Sequence, residues 1–272
     1  MGRADSTPDP RSLTALGLAE APRDHPLAYP GRWPAESGLL DGDRLLPLEP
    51  PYSFPGRTPV LAVGSNACPA QLRHKMAEFG VSGTIPMVKA SVTGIAVGVS
   101  AHVSLMGYVS ASPFRAPGTV GELFLTWLDA AQLAVVDESE GVTAPTGAYD
   151  RARLPSSDVR VELESGQVLP GAHLYVNRRG VLHDGTGTPR AHPGERRLLT
   201  DLLAGSTRLR ALFGDTPEEF CARARLDVRL CALGTRLFAD EGLTMASGLE
   251  RYVRPQQTGS PGSGVSFAPP LR

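Results

Sequence analysis

Pro59-Val60-Leu61-Ala62-Val63-Gly64-Ser65-Asn66-Ala67-Cys68-Pro69 spells a buried strand, a tight turn and the start of a helix. The apolar run Val60–Val63, ended by a glycine, has the form of a short strand covered on both faces. Pro69 suits the first helical turn, and Leu72, Met76 and Phe79 follow at i, i+4 and i+7, with Gly80 as the stop. Gly64, Ser65 and Asn66 are residue types that begin helices and turns on their own account. Such a turn also gathers backbone N–H groups without internal acceptors, and the helix dipole adds partial positive charge there, which suits a small anion. Farther along, Asp137-Glu138-Ser139-Glu140-Gly141-Val142 offers a carboxylate to the same spot.

Composition sets the frame. A chain of 272 residues with 41% apolar content can bury a sizeable core as one large or two small domains. A net charge of −1 gives no electrostatic case for nucleic acid or an anionic membrane. No run approaches the roughly 20 apolar residues of a membrane span, and the N-terminus has no signal-peptide pattern. Cys68, Cys221 and Cys231 make no disulfide framework or Cys-x-x-Cys pair, so a reduced cytoplasmic setting is expected. A homo-oligomer is compatible with all of this.

Thirty glycines and 25 prolines against 6% aromatic residues predict a turn-rich or β-rich chain. Residues 1–57 read as a proline-rich arm, with a short helix over 12–21, loose first residues, and an extended segment from 25 lying on the core. Residues 58–180 carry strand patterns at 87–99, 102–109, 119–127, 149–154, 158–164 and 168–176, with a helix after a Thr126-x-x-Asp129 cap. Gly94, Gly98 and Gly107 mark bulges or corners. Residues 190–245 turn helical, in two amphipathic stretches, and 246–272 read as a flexible tail. Strands in series with inserted helices predict an α+β fold, either a small β-barrel or a curved mixed sheet, with added C-terminal helices.

Five segments resemble the γ-glutamylcyclotransferase-like family. Val63-Gly64-Ser65-Asn66 stands for its Tyr-Gly-Ser-Asn turn, and Val136-Asp137-Glu138-Ser139-Glu140-Gly141 for its Leu-Asp-x-x-Glu-Gly element. Tyr149-Asp150-Arg151 stands for its Tyr-x-Arg strand, and Gly118–Phe124 and Ala172–Val176 resemble two further strands. The likeness covers residues 59–177. It implies cleavage of a γ-glutamyl amine or amide by attack of its own α-amine, releasing 5-oxoproline and an amine, with no metal or cofactor. It also implies Glu140 as acid and base, Gly64, Ser65 and Asn66 as the substrate loop, and Tyr149 and Arg151 as binding partners. One departure stands out: Val63 occupies the place of the family's tyrosine and removes a phenol.

Two other readings come from the residues themselves. The chain could be a non-catalytic barrel that binds a small ligand or a protein. Alternatively, Cys68 at a helix N-terminus could be a hydrolase nucleophile, with His74 or His102 as base. His102, His173 and His183 have no metal spacing. The Asp184–Pro189 segment reads as a plain turn, and the arginine-rich C-terminal helices, interleaved with acids, read as solvated faces.

Overall fold

A computed structural model describes residues 9–253. Its first strands, β1 (Gly38–Asp41) and β2 (Arg44–Pro47), form a hairpin. β3 (Thr58–Ala62) then runs through a three-ten turn at Ser65–Ala67 into α1 (Pro69–Glu78). β4 (Ile85–Val99) and β5 (Ala111–Leu128) make a long antiparallel ribbon, followed by α2 (Ala130–Glu140). β6 (Tyr149–Pro155), β7 (Arg160–Leu163) and β8 (Gly171–Asn177) complete the sheet. The strand order is β2-β1-β4-β5-β3-β8-β6, with β7 also on β4. β3 and β8 are parallel, paired at Val60 and His173, and every other pair is antiparallel.

The sheet is mixed and open, so the mixed-sheet alternative holds and the closed barrel is corrected. The strand path ends at β2 and at β6, and no described pairing joins these ends. The edge of β4 away from β5 is shared, with β1 opposite Ile85–Met87 and β7 opposite Ala90–Thr93. The ribbon bends where the register slips between Thr93 and Gly94. Gly94 has φ +108°, and a Cβ there would meet the Asp158 carbonyl oxygen at 2.6 Å, so only glycine fits the bend.

Both faces of the sheet are covered, which is why β3 reads as an unbroken apolar run. Leu61 points to one side with Val88, Leu125, Leu154 and Leu174. Val60 and Ala62 point to the other, against Leu72 and Met76 of α1 and Val135 and Val136 of α2. A third core lies among α3 (Glu195–Gly205), α4 (Thr207–Phe213), α5 (Pro217–Leu226) and α6 (Val228–Asp240), where Phe213 and Phe220 meet at 4.2 Å. Val99, Val103 and Val109 join this core, so the helices are packed on the end of the β4–β5 ribbon.

Several local expectations change. Residues 12–21 form turns rather than a helix, and Leu13 and Leu18 are buried rather than loose. The expected extended arm contains the β1–β2 hairpin, paired into the sheet. Helix α2 is capped by Asp129 with Gln132 in a capping box, while Thr126 lies inside β5. The two C-terminal stretches are four helices, because Ser206 and Asp227 cap new starts within them. Residues 102–109 leave the sheet as a loop: Gly107 has φ +88°, and the Val103 amide donates to Thr235 Oγ1 of α6 (2.9 Å) instead of to a strand. Of the expected tail, Ser247 and Leu249 are buried, and residues 254–272 lie outside the described residues. No described helix is long and apolar enough to cross a membrane.

Candidate active site

Glu140 is the last residue of α2, and its place is set by how that helix ends. Gly141 adopts the left-handed conformation (φ 73°, ψ 27°). Its N–H donates to the Glu138 carbonyl and that of Val142 donates to the Asp137 carbonyl, both at 2.9 Å, which is a Schellman closure. The following loop is tied down by Arg178, which pairs with Asp150 and donates to the Val142 (2.9 Å) and Ala144 (2.7 Å) carbonyls. Glycine at 141 is required twice over, since a Cβ would also press on Gly147 Cα at 3.0 Å. Gly141→Ala is expected to destabilise the fold by about 1–2 kcal/mol through left-handed strain, measurable by urea unfolding; an unchanged midpoint would refute the closure's role.

Around the Glu140 carboxylate the polar groups form a closed triangle. Lys75 Nζ lies 3.0 Å from Oε1 and Asn66 Nδ2 donates to the same oxygen at 3.1 Å. Lys75 also donates to Asn66 Oδ1 at 2.8 Å. Both donors use Oε1, so Oε2 has no hydrogen-bond partner among the described residues. Lys75 and Glu140 are largely buried, at 10% and 16% side-chain exposure, so their attraction is only weakly screened. Ser65 and Asn66 open a three-ten turn, and as first residues they have no intrahelical acceptor for their N–H groups.

A ring of phenols surrounds this triangle. Tyr29 reaches in from the N-terminal segment, accepts from the Ala111 amide (2.8 Å) and stacks on Tyr108 at 4.3 Å. Its hydroxyl lies so close over Gly64 that a Cβ there would collide with it. Tyr108 hydrogen-bonds Ser65, and Tyr149 meets His102 edge-on at 5.4 Å. Burial first, and the Glu140 charge among the further causes, push Tyr29, Tyr108, Tyr149 and Tyr175 above the usual phenol value, Tyr149 to about 12. Burial pushes His102 down to about 3, helped by the Arg179 charge, so its ring is neutral.

These phenols therefore remain O–H donors at any neutral or mildly alkaline pH. Their raised values also act on stability. Below pH 10 both folded and unfolded forms keep the proton, and above it the unfolded chain loses protons first, so stability falls as pH rises. Unfolding is expected to ease between pH 10 and 12, the window set by Tyr149, with phenolate absorbance appearing together with loss of structure. Phenolate growing in with the fold intact would contradict the burial.

Gly64, Ser65, Asn66, Glu140 and Tyr149 all line one cavity of about 830 Å³. Arg151 does not. It pairs with Asp137 at 2.9 Å, where Tyr175 also donates to that carboxylate (2.8 Å), and so it braces α2 rather than the cavity. Cys68 is fully buried outside the cavity, its thiol 3.5 Å from the Glu20 carbonyl oxygen and pushed up by burial, which removes the thiolate a hydrolase would need. His74 pairs with Asp24 instead, 3.2 Å away. Among the described residues no group of three His, Cys, Asp or Glu could hold a metal.

Lys75, Tyr29, Tyr108 and Tyr175 are cavity residues that the sequence left unread. For Lys75 a signal existed, since it sits three residues after Leu72 and next to Met76 on the inward face of α1. The tyrosines come from segments with no pattern that points them at Glu140.

No family model matches the chain, and no curated protein matches it. Among solved structures it is similar to one described as gamma-glutamyl cyclotransferase, with 17% identity and a TM-score of 0.34 over 44% of this chain and 66% of that one. An uncharacterized protein from Homo sapiens gives 17%, 0.32, 44% and 66% for the same measures. YkqA from Bacillus subtilis gives 17% identity and a TM-score of 0.33, over 50% of this chain and 42% of its own. The chain thus spans 66% of the length of the first two. The chain's own fold is α+β, built on a large open mixed sheet with helices.

Proposed function

We propose that the chain cleaves a γ-glutamyl amine or amide by intramolecular aminolysis. The α-nitrogen bonds to the γ-carbonyl carbon, the bond from that carbon to the leaving nitrogen breaks, and the products are 5-oxoproline and a free amine. Two protons must leave the α-ammonium, one before attack and one as the lactam forms; one reaches the departing nitrogen, and the other goes to solvent or to the released amine. A single carboxylate can take a proton and deliver one in turn.

The observation that carries the proposal is the half-used Glu140 carboxylate. Oε1 is held by Lys75 and Asn66, Oε2 has no partner among the described residues, and Glu140 lines the cavity together with the Gly64–Asn66 turn. That leaves one oxygen to exchange the proton and fixes the other, so the group is oriented before substrate arrives. The Tyr29 hydroxyl accepts from Ala111 and keeps its own proton for donation. With the Ser65 and Asn66 amides it can steady charge that develops on the carbonyl oxygen. Tyr29 also returns a phenol to the turn from which Val63 removed one.

The experiment is incubation with simple γ-glutamyl amides and detection of 5-oxoproline with the amine in equal amounts. Amine released together with glutamate would mean hydrolysis, and binding without any product would favour the non-catalytic ligand-binding reading.

A further inference from the structure

The cavity is much larger than a glutamyl chain requires. At about 830 Å³ it lies in the range that encloses a drug-sized ligand. The Glu140–Lys75–Asn66 triangle and the phenols mark one region of its lining. Other lining residues come from the 102–109 loop and from α6, including Leu105, Met106, Val228 and Ala232. This wall is built with care. The Val109 amide donates to buried Glu195 Oε1 at 2.8 Å, and Gly107 passes so close to α5 that a Cβ would meet the Cys221 carbonyl oxygen at 2.8 Å.

The cavity lining is also apolar where it faces solvent. Phe79 (52% exposed), Leu105 (55%), Met106 (38%) and Val228 (62%) all line the cavity. They are half of the large apolar side chains exposed among the described residues. Exposed apolar residues gathered on one concave surface mark a binding site. This surface and Glu140 line the same cavity.

We propose that the loop and α6 form an outer subsite for a bulky apolar substituent on the leaving amine, so that the preferred substrate is the γ-glutamyl amide of a large apolar amine. This rests on the reaction proposed above, and it assigns Leu105, Met106 and Val228 to specificity. Two amides of primary amines test it, γ-glutamyl methylamide and γ-glutamyl phenethylamide, because their scissile bonds are alike and only the substituent differs.

Calorimetric affinity for the wild-type protein, corrected for turnover, is expected to favour the phenethylamide by about 10–100-fold, as the burial of several methylene equivalents implies. Val228→Asp suits the first position of a helix, and it is expected to bring the ratio of affinities close to one; Leu105→Asp is a second, independent variant. A wild-type ratio near one overturns the subsite, and so does a ratio that neither variant moves. Turnover is read separately. Preferential binding without 5-oxoproline sinks the reaction and keeps the subsite, while equal turnover and equal affinity of both amides sinks the subsite and keeps the reaction.

Discussion

Glu140→Gln is expected to lower turnover of a γ-glutamyl amide by about 10²–10⁴-fold, the range a positioned acid–base group supplies. Glutamine has the same shape. Its carbonyl oxygen can still accept from Lys75 and Asn66, the two donors now on Oε1. The amide nitrogen then stands where Oε2 was, and it can neither take the ammonium proton nor return one. Affinity for the substrate is expected to change far less than kcat, because the turn amides and the Tyr29 hydroxyl are untouched. The variant leaves Lys75 without its counter-charge, so stability will drop as well, and rates should be compared well below its unfolding temperature. Turnover within threefold of wild type in a folded protein would remove Glu140 as the proton carrier.

The turn and the helix end were legible because each is local chemistry. Gly64-Ser65-Asn66 before Pro69 encodes a helix start in adjacent residues, and Glu140-Gly141 encodes a helix stop whose last side chain is the carboxylate. Strand existence was legible from valine-rich runs, and the mixed-sheet alternative followed from strands in series. What failed depended on distance. Sheet closure turns on whether the end strands β2 and β6, far apart in sequence, find each other. The 102–109 segment has strand propensity, but Thr235 and Glu195 supply its hydrogen bonds from the C-terminal helices. Tertiary partners overrode local preference there.

The site divides along the same line. Asn66 and Glu140 could be paired on paper through a resemblance, yet the group that links them, Lys75, is a cation on an otherwise apolar helix face. Arg151 went the other way: Tyr149 and Arg151, two apart on β6, share one face of the strand, yet only Tyr149 lines the cavity, while Arg151 pairs with Asp137. Phe79 continued the spacing of Leu72 and Met76, but the helix ends at Glu78, and its ring turns out to the cavity rim.

Lys75→Met tests the triangle as a unit. Removing one partner of a largely buried ion pair leaves the other charge desolvated, at a cost of about 3–5 kcal/mol. The lower end is expected here, because the cavity opens to solvent beside Glu140 and water can reach its carboxylate. In a chain of this size, 3 kcal/mol lowers the unfolding temperature by roughly 6–12 °C. Methionine keeps the length of the side chain and its packing near Leu72, so the loss reports charge rather than volume. Turnover should fall too, since Oε1 loses the donor that fixes the carboxylate. The double variant Lys75→Met/Glu140→Gln separates these effects. It removes both charges, so it should regain much of the stability lost by Lys75→Met alone, with a coupling above 1 kcal/mol in the cycle, while turnover stays at the Glu140→Gln level. Additive stability losses would show that the two side chains do not meet in solution, and the orientation of Glu140 would then need another cause.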